Sequence, residues 1–131
     1  MKALFVGGSG TISLSIVRRL MDLGWEVWTL NRGNRKDEVP EGVKEIFMDV
    51  NDEEGVRRAL DGLYFDTVAS FIVFDERDAR RDIRLFGDKT DQYIFISSAS
   101  AYQKPLHSPF ITEETPLENP YWEYSRNKKA A

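Results

Sequence analysis

A tyrosine and a lysine four residues apart, Tyr124 and Lys128, form the pair in this sequence that is best suited to acid–base chemistry. On a helix this spacing places both side chains on one face. A lysine ammonium near a phenol stabilises the phenolate and lowers the tyrosine pKa from about 10 towards working pH, which a general acid or base requires. The same spacing is common on surface amphipathic helices, so the pair alone leaves a structural role open.

Two serines, Ser97 and Ser98, directly follow a short apolar segment from Tyr93 to Ile96 that we predict to be a strand. In open α/β sheets, ligands bind beyond the carboxyl ends of the strands. The two serines are therefore well placed to meet a ligand. A glycine turn, a serine in this position and a Tyr-x-x-x-Lys pair coincide by chance far less often than any one of them occurs alone.

The glycine-rich segment Gly7-Gly8-Ser9-Gly10 lies between the first predicted strand, Ala3 to Val6, and a helical pattern that begins near Ile12. Glycines permit a tight turn and let the backbone approach a pyrophosphate, whose charge is favoured by the free amides of a helix N-terminus. Strand, glycines, helix and second strand come in the order that a dinucleotide site requires. A simple tight turn remains open, whereas a P-loop is disfavoured because no Gly-Lys-Ser/Thr follows.

Asn31 and Arg32 follow the second predicted strand, Glu26 to Leu30, at the position that distinguishes the two nicotinamide cofactors. An acidic residue there would bind a ribose 2′-hydroxyl, whereas an arginine suits a 2′-phosphate. With Arg35 and Lys36 close behind, the sequence favours NADP over NAD. A solvated basic loop would contain the same residues and stays open as the alternative.

Asp49 and Val50 follow the third predicted strand, Lys44 to Met48, and would lie at the adenine edge of such a site. From the spacing alone, a helix-capping or solvent-facing role for Asp49 is also open. The next residues, Asn51-Asp52-Glu53-Glu54, have the spacing of a capping box and predict a short helix that ends before Gly62.

The rest of the chain predicts one further strand and two further helices. A near-continuous apolar run from Thr67 to Val73 is typical of a central parallel strand. The charge-rich segment after it predicts a helix with a solvated face and a narrow apolar stripe formed by Ala79, Ile83 and Phe86. Asn119-Pro120 predicts the cap and the first position of the last helix.

Composition excludes several classes of function. The chain has 131 residues, the size of one domain, with 18 Lys and Arg against 22 Asp and Glu and hence a formal charge of −4, which argues against broad binding to nucleic acids or anionic membranes. Without cysteine, and with His107 as its single histidine, it can form neither a disulfide framework nor a thiolate or histidine-cluster metal site. No apolar run near the start is long enough for a signal peptide or membrane span, so we expect a cytoplasmic protein without a metal.

Taken together, these motifs resemble the extended short-chain dehydrogenase/reductases, also called NAD-dependent epimerase/dehydratases. The resemblance covers nearly the whole chain, from the glycine turn through Phe95-Ile96-Ser97-Ser98-Ala99-Ser100-Ala101-Tyr102 to Tyr124-Ser125-Arg126-Asn127-Lys128. It implies an α/β fold, namely a Rossmann-type doubly wound parallel sheet of about five strands in the order 3-2-1-4-5 within three αβα layers.

The resemblance also implies a role for each site residue. The cofactor-binding set comprises Gly7 and Gly10 with the amides of Thr11 and Ile12 at the pyrophosphate, Asp49 and Val50 at adenine, and Asn31 and Arg32 at the adenosine ribose. The catalytic set comprises Ser98, which would hydrogen-bond the reacting oxygen, Tyr124, which would give or accept the proton, and Lys128, which would bind the nicotinamide ribose and lower the tyrosine pKa.

Three features depart from the family pattern. Ser13 stands where a third glycine is usual, and Ile72-Val73 stands where small alanines commonly make room for the cofactor. Members of the family continue with further strands and a substrate domain, whereas only three residues follow Lys128 here. We therefore expect residues 1–131 to be the N-terminal, NAD(P)-binding portion of a protein about twice as long, truncated after the Tyr-x-x-x-Lys helix.

The implied activity is that of an NAD(P)-dependent epimerase/dehydratase or reductase, with hydride transfer on a carbinol or carbonyl, often of a nucleotide-linked sugar. We expect NADP or NAD as cofactor, with NADP favoured by Arg32, and a small-molecule substrate; a homodimer is left open. Because the last helix lacks packing partners, we expect these 131 residues to bind the cofactor without turnover. The alternative is a non-catalytic dinucleotide-sensing or RNA-binding module, with Arg32, Arg35 and Lys36 as a local basic patch.

Overall fold

Five parallel strands form one sheet, in the order β3-β2-β1-β4-β5. The structure is a computed structural model, and it describes residues 1–34 and 39–131. The strands are β1 (Lys2–Val6), β2 (Glu26–Asn31), β3 (Lys44–Phe47), β4 (Phe65–Ser70) and β5 (Thr90–Phe95). The helices are α1 (Thr11–Asp22), α2 (Glu53–Ala59), α3 (Glu76–Phe86) and α4 (Glu123–Ala130), with a 3-10 helix at Ala99–Ala101. The predicted α/β class and strand order are confirmed.

The central strand, β1, is buried on both faces of the sheet. Leu4 packs in one core cluster together with Phe86 of α3, and Phe5 packs in a second cluster together with Val17 of α1. Neighbouring side chains of a strand point to opposite faces, so a continuous apolar run serves both clusters. Because the strands are parallel, their carboxyl ends share one edge of the sheet, and the loops that carry the predicted site residues emerge there.

The first helix ends where the sequence predicts. α1 has 12 residues and is followed by Gly24, whose φ of +76° suits the left-handed position after a helix. Within the described part of the chain, no helix has the length and apolar character that crossing a membrane requires.

The fourth strand is shorter than its apolar run predicts. The ladder with β1 ends as the backbone N–H of Phe71 donates to the carbonyl of Val6 at 2.9 Å, and the chain then leaves the sheet. Val73 is nevertheless 1% exposed. The run from Thr67 to Val73 therefore extends past the end of the strand, because the segment that leaves the sheet also buries an apolar side chain.

The capping box predicted for Asn51-Asp52-Glu53-Glu54 is wrong by one residue. Asp52 is the N-cap of α2, and its Oδ1 accepts a hydrogen bond from the backbone N–H of Gly55 at 3.0 Å. Gly55 therefore occupies the third helical position, where it has no side chain to complete the box. Asn51 instead donates to the carboxylate of Asp49.

The apolar stripe predicted for the third helix is correct at Phe86, which is buried, but wrong at Ile83. Ile83 is 65% exposed, whereas Arg81 and Asp82 are buried. The helix is rotated so that this charged pair faces inward, which is tolerated because the two side chains neutralise each other. The predicted solvated face carries an exposed ion pair between Glu76 and Arg80.

The Asn119-Pro120 pattern predicts that the last helix begins at Pro120, but it begins at Glu123. The side chain of Asn119 donates to the carbonyl of Ser100 at 2.8 Å and accepts from the backbone N–H of Tyr121 at 3.2 Å. Asn119 thus connects the loop before α4 to the 3-10 helix. Because both ends of its side-chain amide are used in these hydrogen bonds, residues 119–121 form a turn and the helix starts later.

Candidate functional site

The turn between β1 and α1 requires glycine at position 7. Gly7 has a φ of +81°, in the left-handed region where other residues are strained. A Cβ added to Gly7 would lie 2.6 Å from Cγ2 of Ile72. Glycine is therefore required here both by the backbone conformation and by the packing of Ile72 against the turn.

Ser13, which stands in place of the third glycine, closes this turn. It is 1% exposed; its Oγ accepts from the backbone N–H of Gly10 at 2.9 Å and lies 3.1 Å from the carbonyl of Gly7, to which it can donate. Gly10 is the N-cap of α1. The amides of Thr11 and Ile12 belong to the first helical turn, where N–H groups have no acceptor within the helix and are available to an anion.

A cavity of about 500 Å³ opens beside the glycine turn at the carboxyl edge of the sheet. Six of the eight predicted cofactor-binding residues line it, namely Gly7, Gly10, Asn31, Arg32, Asp49 and Val50. The other two, Thr11 and Ile12, lie next to it at the start of α1 with exposed side chains. The loops after β1, β2 and β3 thus meet around one space.

Asn31 and Arg32 are placed differently at the end of β2. Asn31 is buried, and its Oδ1 accepts a hydrogen bond from the backbone N–H of Gly33 at 2.7 Å. Its side chain therefore shapes the loop, whereas the side chain of Arg32 is exposed at the cavity. Arg35 and Lys36, the other basic residues of the predicted patch, lie outside the described residues.

The cavity also has a charged wall that sequence reasoning missed. Arg81 lines it and pairs with Asp78 at 2.9 Å and with Asp82 at 2.8 Å. Asp82 accepts a hydrogen bond from the hydroxyl of Tyr93 at 2.8 Å, and burial together with this carboxylate raises the pKa of Tyr93. In the sequence these residues belong to a run of alternating charges, in which one buried arginine carries no distinguishing signal. Despite these carboxylates, the described residues hold no group of three His, Cys, Asp or Glu placed to bind a metal.

Lys128 is held between the segments that follow β4 and β5. Its Nζ donates to the carbonyl of Val73 at 2.5 Å and to the carbonyl of Ile96 at 2.9 Å, and it lies 4.9 Å from the ring centroid of Phe95. The residue is 4% exposed, so the expectation that the last helix lacks packing partners is wrong. Burial lowers the pKa of Lys128 below its ordinary value, and the charge of Asp78 opposes this effect.

Tyr124 lies on the same side of α4 as Lys128, as the spacing predicts. The Lys128 Nζ is 5.8 Å from the centroid of the Tyr124 ring. The ring of Trp122 packs against that of Tyr124 with the centroids 4.8 Å apart. The phenol is thus half-buried and is fixed next to a positive charge.

Ser98 lies on the loop after β5 and caps the 3-10 helix. Its Oγ accepts from the backbone N–H of Ser100 at 3.2 Å and lies 2.9 Å from the Ser100 hydroxyl. Ile96, whose carbonyl binds Lys128, is only two residues earlier. The fold therefore brings Lys128 and Tyr124 together and places Ser98 on the adjoining loop, although no hydrogen bond joins Ser98 to Tyr124 within the described residues.

A comparison with protein families identifies the family of this chain. The family model described as the NAD dependent epimerase/dehydratase family matches residues 3–131. The chain belongs to this family. The sequence resemblance is thereby confirmed.

Individual relatives match nearly all of this epimerase-family chain. The 2′-dehydrokanamycin reductase of Streptomyces kanamyceticus is 27% identical over 130 residues, which are 99% of this chain and 36% of that protein. A crystal structure of UDP-glucose 4-epimerase matches with a TM-score of 0.86 at 25% identity and covers 99% of this chain and 45% of that one. The UDP-glucose 4-epimerase from Bifidobacterium longum, in complex with NAD+ and UDP, matches with a TM-score of 0.83 at 22% identity over 98% of this chain and 46% of that one. The chain thus spans less than half the length of each.

The bulky residues after β4 of this epimerase-family chain point in different directions. Ile72 lines the cavity next to the glycine turn, as does Phe74. Val73 is instead buried, and its carbonyl faces Lys128. Of the two residues that stand in place of small alanines, only Ile72 therefore takes up space at the cavity.

Proposed function

We propose that residues 1–131 form an NAD(P)-binding domain whose cavity takes the adenosine half of the dinucleotide. The observation that carries this proposal is the shared lining of one cavity by the glycine turn and by the residues after β2 and β3. The group fits because Gly7 and Gly10 line the cavity with backbone alone, and because the N-terminus of α1 favours a negative charge. The family and the NAD+ named in the Bifidobacterium longum complex support the same reading.

Calorimetric titration of the 131-residue chain with NAD and NADP tests this binding. Gly10 has a φ of −80°, and an added Cβ would meet nothing closer than the Ser13 Oγ at 3.4 Å, so the fold admits a side chain there. Gly10→Asp should abolish binding because its carboxylate would repel the pyrophosphate, although an N-cap aspartate suits the helix. Gly10→Ala should fold equally well and bind more weakly than wild type. A wild-type chain that binds neither dinucleotide would contradict the proposal.

NADP is the proposed preference, because Arg32 presents a planar, permanently charged group at the cavity. Losing a charge-assisted contact to the 2′-phosphate should cost about tenfold in affinity. Arg32→Gln should therefore weaken the binding of NADP by about that factor and leave the affinity for NAD within about twofold of wild type. Equal losses for both cofactors would argue that Arg32 does not read the 2′ position.

The proposed chemistry is the oxidation of a carbinol or the reduction of a carbonyl. The bound dinucleotide would supply the hydride acceptor or donor. In the oxidative direction, the hydroxyl proton of the substrate passes to the Tyr124 oxygen as the carbon loses its hydride, and the Ser98 hydroxyl hydrogen-bonds the reacting oxygen. Lys128 supports this transfer because its charge lies 5.8 Å from the Tyr124 ring and stabilises negative charge on the phenol.

The proposed substrate class is a nucleotide-linked sugar. The two epimerases are named for UDP-glucose, and one of them was solved with UDP. Both names support a nucleoside diphosphate as part of the substrate. The reductase relative supports the same hydride chemistry without an epimerisation. Since the chain spans less than half of these proteins, both activity and substrate are proposed for a full-length parent protein.

We further propose that these 131 residues bind the cofactor without turning it over. The short coverage of the relatives supports this, because most of their length lies outside these 131 residues. Steady NADPH oxidation by the isolated chain would contradict it. In the full-length parent, Tyr124→Phe should abolish turnover and keep dinucleotide binding, whereas a non-catalytic sensing or RNA-binding module would show no turnover even as wild type.

A further inference from the structure

Arg81 is a buried arginine on the wall of the cavity, and it makes four hydrogen bonds. Its Nε and Nη2 donate to Oδ1 of Asp82 at 3.0 and 2.8 Å, and its Nη1 donates to Oδ1 of Asp78 and to Oδ1 of Asn51, each at 2.9 Å. The residue is 5% exposed. A planar guanidinium that makes this many hydrogen bonds is held in one orientation. The Nη1 group that donates to Asn51 therefore has a fixed position.

Asn51 links Arg81 to Asp49. A guanidinium only donates hydrogen bonds, so Asn51 must present its Oδ1 to Arg81. The Nδ2 of Asn51 then donates to Oδ1 of Asp49 at 3.0 Å, and the backbone N–H of Asn51 donates to the same oxygen at 2.9 Å. Arg81 therefore sets the orientation of the Asn51 amide, which holds the Asp49 carboxylate together with the backbone N–H of Asn51.

The arginine is itself anchored to the sheet. Asp82 is fully buried and accepts a hydrogen bond from the hydroxyl of Tyr93 on β5 at 2.8 Å. Arg81 cannot swing away without leaving that carboxylate unpaired, which is costly in a buried site. A residue that positions a binding group requires such support.

We infer that Arg81, acting through Asn51, orients Asp49 so that its second carboxylate oxygen accepts a hydrogen bond from the exocyclic amine of adenine. Both hydrogen bonds that the described residues donate to Asp49 reach Oδ1, which leaves Oδ2 for a ligand. Adenine carries an N6 amine donor there, whereas hypoxanthine carries a carbonyl oxygen. The inference rests on the proposed binding of a dinucleotide, and it makes Arg81 a positioning residue that sets base selectivity.

A purely structural role for Arg81 predicts a different result. If Arg81 only neutralised Asp78 and Asp82, its replacement would change the stability of the protein and would weaken the binding of every ligand of the cavity by the same factor. A positioning role instead changes the ratio between an adenine ligand and a hypoxanthine ligand. This ratio is independent of how much of the protein is folded, because both ligands bind the same folded state.

Calorimetric titration of the 131-residue chain with NAD and with nicotinamide hypoxanthine dinucleotide measures this ratio. Wild type should bind NAD about tenfold more tightly, as expected for one hydrogen bond to a charged group. Asn51→Ala removes an exposed side chain and leaves the pair of Arg81 and Asp82 in place, and it should reduce the preference to about twofold or less. Arg81→Gln should reduce it equally, and the double variant should show no further loss.

Arg80→Gln is the matched control, because Arg80 is the preceding residue of α3 and pairs with the exposed Glu76. It should keep the wild-type preference. If Arg81→Gln does not fold by circular dichroism, the result for Asn51→Ala decides. A preference for NAD that survives Asn51→Ala would overturn the inference.

The wild-type titrations separate this inference from the proposed function. Equal affinity for the two dinucleotides would overturn the inference and leave the proposed function standing, because the base would then not be read by Asp49. A wild-type chain that binds neither dinucleotide would refute the proposed function and the inference together.

Discussion

Ile72 lies so close to Gly7 that a Cβ added to the glycine would be 2.6 Å from the isoleucine Cγ2. Gly7 also has a φ of +81°, which restricts it to glycine on conformational grounds. Two independent constraints therefore act on one residue. One belongs to the turn itself, and the other comes from the segment that leaves the sheet after β4.

Gly7→Ala should therefore lower the free energy of unfolding by about 2 to 4 kcal/mol, with the left-handed backbone and the steric overlap each contributing. In an Ile72→Ala background the overlap is relieved, and the same substitution should cost only about 1 to 2 kcal/mol. Denaturant unfolding of the four proteins of this cycle measures both effects. Equal losses in the two backgrounds would show that Ile72 does not constrain the turn.

The part of this site that sequence could predict is the part that rests on backbone conformation. A glycine turn between a strand and a helix has few physical solutions, so Gly7 and Gly10 could be placed from their spacing alone. The strand order follows the same logic, because buried apolar runs that alternate with helices specify a parallel sheet. The helical spacing of Tyr124 and Lys128 likewise predicted that they share one side of α4.

The part that sequence could not predict rests on contacts between distant segments. Nothing local distinguishes Arg81 from its exposed neighbour Arg80, since burial depends on how α3 meets β5 and the loop after β3. The start of α4 was missed for a related reason, because the Asn119 side chain is captured by the carbonyl of Ser100, 19 residues away in the chain. Propensity describes the segment alone and carries no information about such partners.

Asp52→Ala should destabilise the protein by about 1 kcal/mol, the usual cost of losing an N-cap side chain. Its Oδ1 accepts from the backbone N–H of Gly55, and alanine would leave that donor without its partner. Glu54→Ala is the matched control, because the exposed Glu54 pairs with Arg58 in the same helix and should change stability much less. Thermal unfolding compares the two, and a larger loss for Glu54→Ala would restore the capping box that the sequence predicts.

The buried Lys128 should make stability rise with pH in the alkaline range. Burial lowers the pKa of Lys128 from 10.5, so the unfolded chain binds this proton more tightly than the folded chain does. The free energy of unfolding should therefore increase as pH rises from the lowered folded value towards about 10.5. Lys128→Met removes this titration, so the stability of wild type relative to the variant should grow over that window.

Urea unfolding at a series of pH values checks this expectation. The neighbouring Lys129 is exposed, and Lys129→Met should follow the wild-type pH dependence throughout. A constant difference between wild type and Lys128→Met would mean that the burial of Lys128 does not alter its proton affinity.

Tyr93 should have the opposite effect at high pH. Burial and the adjacent Asp82 raise the pKa of Tyr93 from 10.0, so the folded chain keeps the phenolic proton after the unfolded chain has lost it. The stabilisation is complete below about pH 10 and is lost as pH rises above the unfolded value towards the folded one. Tyr93→Phe should therefore be less stable than wild type at neutral pH, because Asp82 loses a hydrogen bond, and should show a flatter decline above about pH 10. Tyr121→Phe, at a residue that is 76% exposed, serves as the control and should decline in parallel with wild type.

The same titration can be followed by tyrosinate absorbance, in which the folded Tyr93→Phe variant should lose only the most alkaline part of the wild-type curve. A loss from the earlier part of that curve would show that the contact between Tyr93 and Asp82 does not hold the proton.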